Sequence, residues 1–187
     1  MRVNDRTIVL TGAGSGMGRE VALELLRRGA RVAAVDINEA TLAETAALAG
    51  PAMADRIALF PMSVTDRAAV AALPEHVVAR FGAVDGVINC AGIIQPFVRL
   101  AELDDAAIER VFGVNYLGVL DMTRTFLPHL LARPEGHIVN VSSMGGFLPV
   151  PGQTIYGASK AAVKLLTEGL WAELQGSNVR ATVVLSL

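Results

Sequence analysis

Tyr156 and Lys160 stand four residues apart in Ile155-Tyr156-Gly157-Ala158-Ser159-Lys160-Ala161-Ala162, and a helix would place them on one face. An ammonium held beside a phenol stabilises the phenolate and lowers a pKa that is otherwise about 10. A tyrosine tuned in this way can exchange a proton with a substrate hydroxyl or carbonyl near neutral pH. Tyr and Lys at this spacing also occur on solvated helices with no chemistry to do. The reading therefore depends on a cofactor and on further polar groups within reach.

A cofactor loop is present near the start. Thr7-Ile8-Val9-Leu10 reads as a buried strand and runs into Thr11-Gly12-Ala13-Gly14-Ser15-Gly16-Met17-Gly18, after which a helix extends to about Arg28. Glycines allow a tight turn and close approach of backbone N–H groups to a ligand. The helix that follows turns its positive end toward the same place, which favours a pyrophosphate. The spacing G-x-G-x-x-G fails, because counting from Gly12 its last position is Met17; T-G-x-x-x-G-x-G fits. A plain tight turn is the competing explanation, and the strand–turn–helix context favours the cofactor. Asp36 ends the second strand about 20 residues further on, where a dinucleotide site places an acid on the adenosine ribose. A carboxylate accepts hydrogen bonds from ribose hydroxyls and repels a 2′-phosphate. Ile37 and Asn38 beside it carry no positive charge, and Ser15 in the loop is neutral. NAD(H) is thus expected over NADP(H). The competing role for Asp36 is capping the next helix, and Arg19 reads as a surface residue of the first helix rather than a phosphate ligand.

The elements that position these residues alternate along the chain. Strands are expected at 7–10, 31–35, 56–60, 84–88, 137–141 and 179–185. Helices are expected at 39–48, from the cap Asp66 to about Arg80, from near Asp104 to about Leu131 before Pro134, and over 156–174. Continuous apolar strands indicate burial on both faces, and the strand–helix alternation implies an α/β fold with a doubly wound parallel sheet. With no internal linker or repeat, residues 1–187 read as a single dinucleotide-binding domain.

Hydrophobic residues make up 52% of the 187 and charged residues 18%, so much of the chain belongs in strands or subunit contacts. The net charge is −2 and the 16 basic residues form no long run, which argues against a nucleic-acid surface. Cys90 is the only cysteine, so no intrachain disulfide can form and a reducing compartment, the cytoplasm, is expected. Its simplest role is a small buried hydrophobe at a strand end. The polar start lacks the pattern of a signal peptide, and no uncharged apolar run is long enough to span a bilayer. His76, His129 and His137 fall on different elements and do not suggest a metal site. Trp171 and Met122 read as packing residues.

In order, Thr11-Gly12 through Gly18, Asn89-Cys90-Ala91-Gly92, Asn115, Ser142-Ser143 and Tyr156-x-x-x-Lys160 make the chain resemble the short-chain dehydrogenase/reductase family over essentially its whole length. The resemblance implies a Rossmann fold and hydride transfer between NAD(H) and an alcohol or carbonyl. Tyr156 would be the general acid/base, and Lys160 would lower its pKa and bind the nicotinamide ribose. Ser143 would hold the substrate oxygen; its thirteen-residue separation from Tyr156 matches the family and leaves Ser142 as a turn or packing residue. Asn115 would hold a water in a proton relay to Lys160. The cofactor would lie along Gly12, Ser15, Gly16, Met17 and Gly18, with Asp36 and Ile37 at the ribose, Ser63 and Val64 near the adenine, and Asn89, Ala91 and Gly92 beside the adenosine. Cys90 replaces a frequent second asparagine, and Ser63 replaces a longer acid or amide, which weakens its expected contact with adenine.

The resemblance also implies a homodimer or homotetramer through the helices at 104–131 and 156–174. Gln153, Thr154, Met144, Gly145 and the loop Ile93-Ile94-Gln95-Pro96-Phe97 are expected to face the pocket and to suit a partly apolar alcohol or ketone. Family members usually continue after the sixth strand with a mobile substrate loop and a seventh strand. The expectation is therefore a truncated chain that binds the adenosine half of NAD and turns over poorly, its last strand exposed as an apolar edge. The competing function is a nucleotide-binding sensor or structural subunit without turnover. An enoyl reductase is disfavoured by the Tyr–Lys spacing, and a sugar epimerase by the lack of a larger substrate domain.

Overall fold

Strand follows helix from β1 (Thr7–Thr11) through α1 (Gly16–Arg27), β2 (Arg31–Asp36), α2 (Glu39–Ala49), β3 (Ile57–Pro61), α3 (Arg67–Phe81) and β4 (Gly86–Asn89). The chain continues through α4 (Asp105–Phe112), α5 (Val119–Leu131), β5 (Gly136–Ser143), α6 (Thr154–Glu173) and β6 (Val179–Ser186). This is a computed structural model, and it describes residues 1–186; Leu187, after which the expected truncation falls, lies outside them.

The six strands form one parallel sheet in the order β3-β2-β1-β4-β5-β6. Val9 of β1 pairs with Ala33 of β2 on one side and with Val87 of β4 on the other. The connections reverse direction between β1 and β4, and a ligand crevice in such a sheet lies outside the strand C-termini at that reversal. Both expected halves of the cofactor site, the loop after β1 and the segment after β4, are delivered there.

Alternation along the strands divides the core into two. Ile8 and Leu10 of β1 pack with Ala22, Leu25 and Leu26 of α1 and Leu42 of α2. Val9 faces the opposite layer, with Leu73 and Val77 of α3, Met122, Phe126 and Leu130 of α5, and Leu170 at the end of α6. Burial on both faces holds for β1 and β2 but not for β6, where Arg180 and Thr182 alternate as exposed residues with buried Val179 and Ala181. Val184 and Leu185 remain exposed toward its end.

Three boundaries differ from expectation for identifiable reasons. β3 begins at Ile57 because Pro51–Arg56 form a 3₁₀ turn, with the Arg56 guanidinium donating to the Gly29 carbonyl at 2.7 Å. β4 begins at Gly86 because the buried Asp85 carboxylate accepts from the Thr7 N–H and pairs with Arg133 and Arg6. The long helix expected over 104–131 changes pitch in the middle: Gly113–Gly118 form a π-helical turn between α4 and α5. A Cβ on Gly118 would lie 2.8 Å from Val64 Cγ2, so a glycine there lets the turn approach the β3–α3 loop. Such turns occur frequently at functional sites, and this one carries Asn115.

Candidate active site

A groove of about 880 Å³ runs across the strand C-termini. Its walls include Gly12, Ser15, Gly16, Met17, Gly18, Asp36, Ile37, Ser63, Val64, Cys90, Ala91 and Gly92. Gly12 has φ +73°, and a Cβ there would stand 2.9 Å from the Ala91 backbone. Only glycine lets the two loops meet this closely. A Cβ on Gly18 would run into the Gly12 carbonyl, so α1 can start under the loop only with glycine at that place. The groove thus offers a helix N-terminus and a backbone-lined cradle, which suit a dinucleotide pyrophosphate.

Asp36 reaches this groove, and both its oxygens are engaged. Oδ2 accepts from the Gly14 N–H at 2.9 Å and Oδ1 from the Asn38 N–H at 3.0 Å. The capping of α2 falls to Asn38, whose side chain accepts from Thr41 N, so Asp36 is left to shape the loop. Arg19 is tied to the Gly14 carbonyl, to Thr45 and to Glu44 and braces α1 against α2. Ser63 shares a hydrogen bond with Thr65 Oγ1 and accepts from the Thr65 N–H, so its hydroxyl is occupied by its own turn.

Asn89 turns its side chain away from the groove. Its side chain is buried beneath the groove, where Nδ2 donates to Asn140 Oδ1 at 2.8 Å and to Thr123 Oγ1 at 3.3 Å. Asn140 in turn donates to Thr167, so a polar rung links β4 and β5 to α5 and α6. Inward orientation at the strand end sends this side chain into the helix layer instead of the groove.

The catalytic candidates gather in two pairs around two glycines, of which Gly92 stands on the groove wall. A Cβ on Gly92 would lie 3.1 Å from Lys160 Nζ and 3.4 Å from Asn115 Oδ1. A Cβ on Gly145 would lie 3.3 Å from the Tyr156 ring and 3.5 Å from Ser143 Oγ. Tyr156 and Ser143 therefore flank one glycine, as Lys160 and Asn115 flank another. Lys160 is buried and donates to the Val141 carbonyl at 2.9 Å. Burial holds its pKa below the ordinary lysine value, only partly opposed by the nearby Cys90. Burial likewise pushes the Cys90 thiol up, against the pull of Lys160. Ser143 Oγ accepts from the Gly145 N–H at 3.0 Å, which leaves its own proton free to donate. Ser142 is a packing residue whose hydroxyl donates to the Lys160 carbonyl.

Asn115 is completely buried. Oδ1 accepts from the Ile93 N–H at 2.8 Å, while Nδ2 donates to the Ile93 carbonyl at 2.9 Å and to Ser159 Oγ at 3.0 Å. Both amide hydrogens are used, so one Oδ1 lone pair remains for any further partner.

The model for short chain dehydrogenases matches residues 6–186. The chain belongs to this family. SadH of Mycobacterium tuberculosis is 43% identical over 170 residues, covering 90% of this chain and 60% of that protein. The 3-oxoacyl-[acyl-carrier-protein] reductase FabG of Thermotoga maritima is 36% identical, covering 98% of this chain and 74% of its own length. Among solved structures, a short-chain dehydrogenase/reductase from Burkholderia phymatum in complex with NAD superimposes with a TM-score of 0.93 at 34% identity, covering 98% of this chain and 66% of that one. The chain thus spans less than two thirds of the mycobacterial and Burkholderia proteins. The chain has a six-stranded Rossmann-like sheet, and its relatives are oxidoreductases that include NAD-bound structures.

Gln95, expected at the pocket, is placed elsewhere, while Gln153 borders a separate cavity of about 440 Å³ with Gly145, Thr154 and Gly157. Gln95 and Gln153 are buried and bonded to each other's neighbourhood: Gln153 Nε2 donates to the Gln95 carbonyl, and Gln95 Nε2 to the Gly152 carbonyl. Gln95 Oε1 accepts from the N–H groups of Ile155 and Tyr156. A glutamine 60 residues upstream of the helix it caps carries no local sequence signal. The loops do present Ile94, Phe97, Phe147 and Leu148 as exposed apolar groups. Trp171, expected to pack, is 56% exposed, whereas Met122 is in the core. Among the described residues no cluster of three or more His, Cys, Asp or Glu could hold a metal ion, and no helix is long and apolar enough to cross a membrane.

Proposed function

We propose that residues 1–187 form one NAD-binding unit of an oxidoreductase that interconverts an apolar secondary alcohol and its ketone. The observation that carries this reading is the pairing at two glycines: Tyr156 with Ser143 at Gly145, and Lys160 with Asn115 at Gly92 on the groove wall. A bound nicotinamide supplies the hydride transfer. The chain's own residues supply position and proton traffic. Ser143, fixed by the Gly145 N–H, donates a hydrogen bond to the substrate oxygen. Tyr156 gives that oxygen a proton during reduction and removes one during oxidation. Lys160 keeps two N–H groups beyond the one given to Val141, which suit a ribose hydroxyl and the phenol oxygen. Asn115 supports the relay through its remaining Oδ1 lone pair.

NAD over NADP rests on Asp36, whose carboxylate stands at the groove with no cationic neighbour at Ile37 or Asn38. An apolar substrate fits the loops on either side of Tyr156, since residues 144–159 contain no charged side chain and Phe97 is 68% exposed. A homodimer or homotetramer fits the apolar surface of the same helices, where Leu117, Leu131, Leu165 and Trp171 are exposed. The single cysteine suits the cytoplasm.

The deciding experiment is NAD-linked oxidation of a panel of apolar secondary alcohols by the wild type and Tyr156→Phe. The variant should lose at least about 100-fold in kcat and keep its affinity for ADP-ribose. Equal rates in the two proteins would remove Tyr156 from the mechanism. Cofactor binding without turnover in the wild type would point instead to a nucleotide-binding sensor or structural subunit.

A further inference from the structure

The first turn of a helix has N–H groups with no intrahelical acceptor. In α6 the first such bond is made by Gly157, which donates to the Gln153 carbonyl at 2.8 Å. Ile155 and Tyr156 precede it, and the N-cap residue Gln153 offers them nothing from its side chain. Their partner comes from another loop: Gln95 Oε1 accepts from Ile155 N at 2.8 Å and from Tyr156 N at 2.9 Å. Gln95 is 1% exposed, and its amide nitrogen is anchored on the Gly152 carbonyl at 2.9 Å. No water competes for a side chain so enclosed.

The other backbone group of Tyr156 is held from the same direction. Its carbonyl accepts from Ser159 Oγ at 2.7 Å, and Ser159 Oγ accepts from Asn115, which grips both backbone groups of Ile93. Ile93 is a wall of the cofactor groove and stands two residues before Gln95. A closed circuit therefore runs from the groove wall through Gln95 to the Tyr156 N–H, and returns from the Tyr156 carbonyl through Ser159 and Asn115.

We propose that Gln95 is a positioning residue for Tyr156: its buried amide locks the first turn of α6 to the loop leaving the cofactor groove and so sets the phenol against the cofactor. Gln95 touches neither substrate nor cofactor in this role. Its effect on turnover rests on the dehydrogenase reading, whereas its effect on Tyr156 does not.

The test uses the whole protein in three forms: wild type, Gln95→Met, which keeps the volume and loses both polar atoms, and Gln95→Glu, which keeps an acceptor. Amide hydrogen exchange in the wild type should show Ile155 and Tyr156 protected relative to Thr154, which Gln95 does not hold. In Gln95→Met those two amides should exchange about tenfold faster, the effect of one lost hydrogen bond, while α1 and α3 amides stay unchanged. The ζ-carbon resonance of Tyr156, one of two tyrosines, should shift. The kcat should fall roughly 10- to 100-fold, as for a misplacement of order 1 Å, with KM for NAD unchanged. Gln95→Glu should recover the protection and much of the rate. Rapid exchange of Ile155 and Tyr156 in the wild type would overturn the proposal even if Gln95→Met did not fold. So would faster exchange in Gln95→Met with neither the tyrosine resonance nor kcat altered. If the wild type shows no turnover, the dehydrogenase reading falls, and the exchange and resonance measurements still decide the role of Gln95.

Discussion

Replacing Asp36 with Asn tests how this groove chooses between two forms of one cofactor. The carboxylate is held by Gly14 N–H on one oxygen and Asn38 N–H on the other, so it cannot swing away from a ligand's ribose. A 2′-phosphate about 4 Å away would meet a repulsion of roughly 1 kcal/mol per charge pair at the dielectric of water and about 4 kcal/mol at an effective dielectric near 20. The wild type should therefore prefer ADP-ribose over its 2′-phosphorylated form by roughly 5- to 1000-fold. Asn removes the charge but presents one NH₂ where both neighbours are donors. One of the two backbone N–H groups then loses its acceptor, at a cost of about 1–3 kcal/mol, and the Gly14 turn loosens. ADP-ribose affinity should fall about tenfold while affinity for the 2′-phosphate holds or improves, so the ratio narrows from both sides. Titration calorimetry with the two ligands measures this without needing nicotinamide or substrate. The wild-type ratio should also shrink as salt is raised. A ratio unchanged in Asp36→Asn would show that the carboxylate does not set the preference.

Gly92→Ala would place a methyl 3.1 Å from Lys160 Nζ and 3.4 Å from Asn115 Oδ1; turnover should drop at least about tenfold, with the thermal midpoint little changed. Asn115→Ala leaves the Ile93 N–H and carbonyl without partners and should cost about 2–4 kcal/mol in urea unfolding, a loss that Asn115→Asp should only partly reverse. His137 is held below its ordinary pKa, chiefly by burial. Above pH about 6.5 both folded and unfolded chains carry it neutral; below that the unfolded chain takes the proton first, so stability falls with acidification until the folded-state pKa is passed. The stability difference between the wild type and His137→Gln should therefore be constant above that pH and change below it, and parallel curves throughout would exclude His137 as the cause.

Residues adjacent in sequence were legible because their geometry is local. The glycine turn, the Asp66 cap and the four-residue Tyr156–Lys160 spacing depend on backbone sterics and helical pitch, which act over a few positions. The parallel, doubly wound sheet was legible as well, since apolar runs alternating with helices leave few other ways to bury the strands. What only the tertiary structure decided was where buried polar side chains find partners. Asn89 stands in the right motif for a cofactor contact but points into the helix layer toward Asn140 and Thr123. Gln95 stands in a loop expected to line a pocket, and instead closes the start of α6. Asn115 sits in a π turn that helical periodicity does not announce. The Asn115 and Gln95 amides satisfy their hydrogen bonds away from water, and their partners lie 22 to 61 residues distant. Local spacing therefore identifies Tyr156 and Lys160 as a chemical pair, while contacts between remote segments determine where that pair stands relative to the groove.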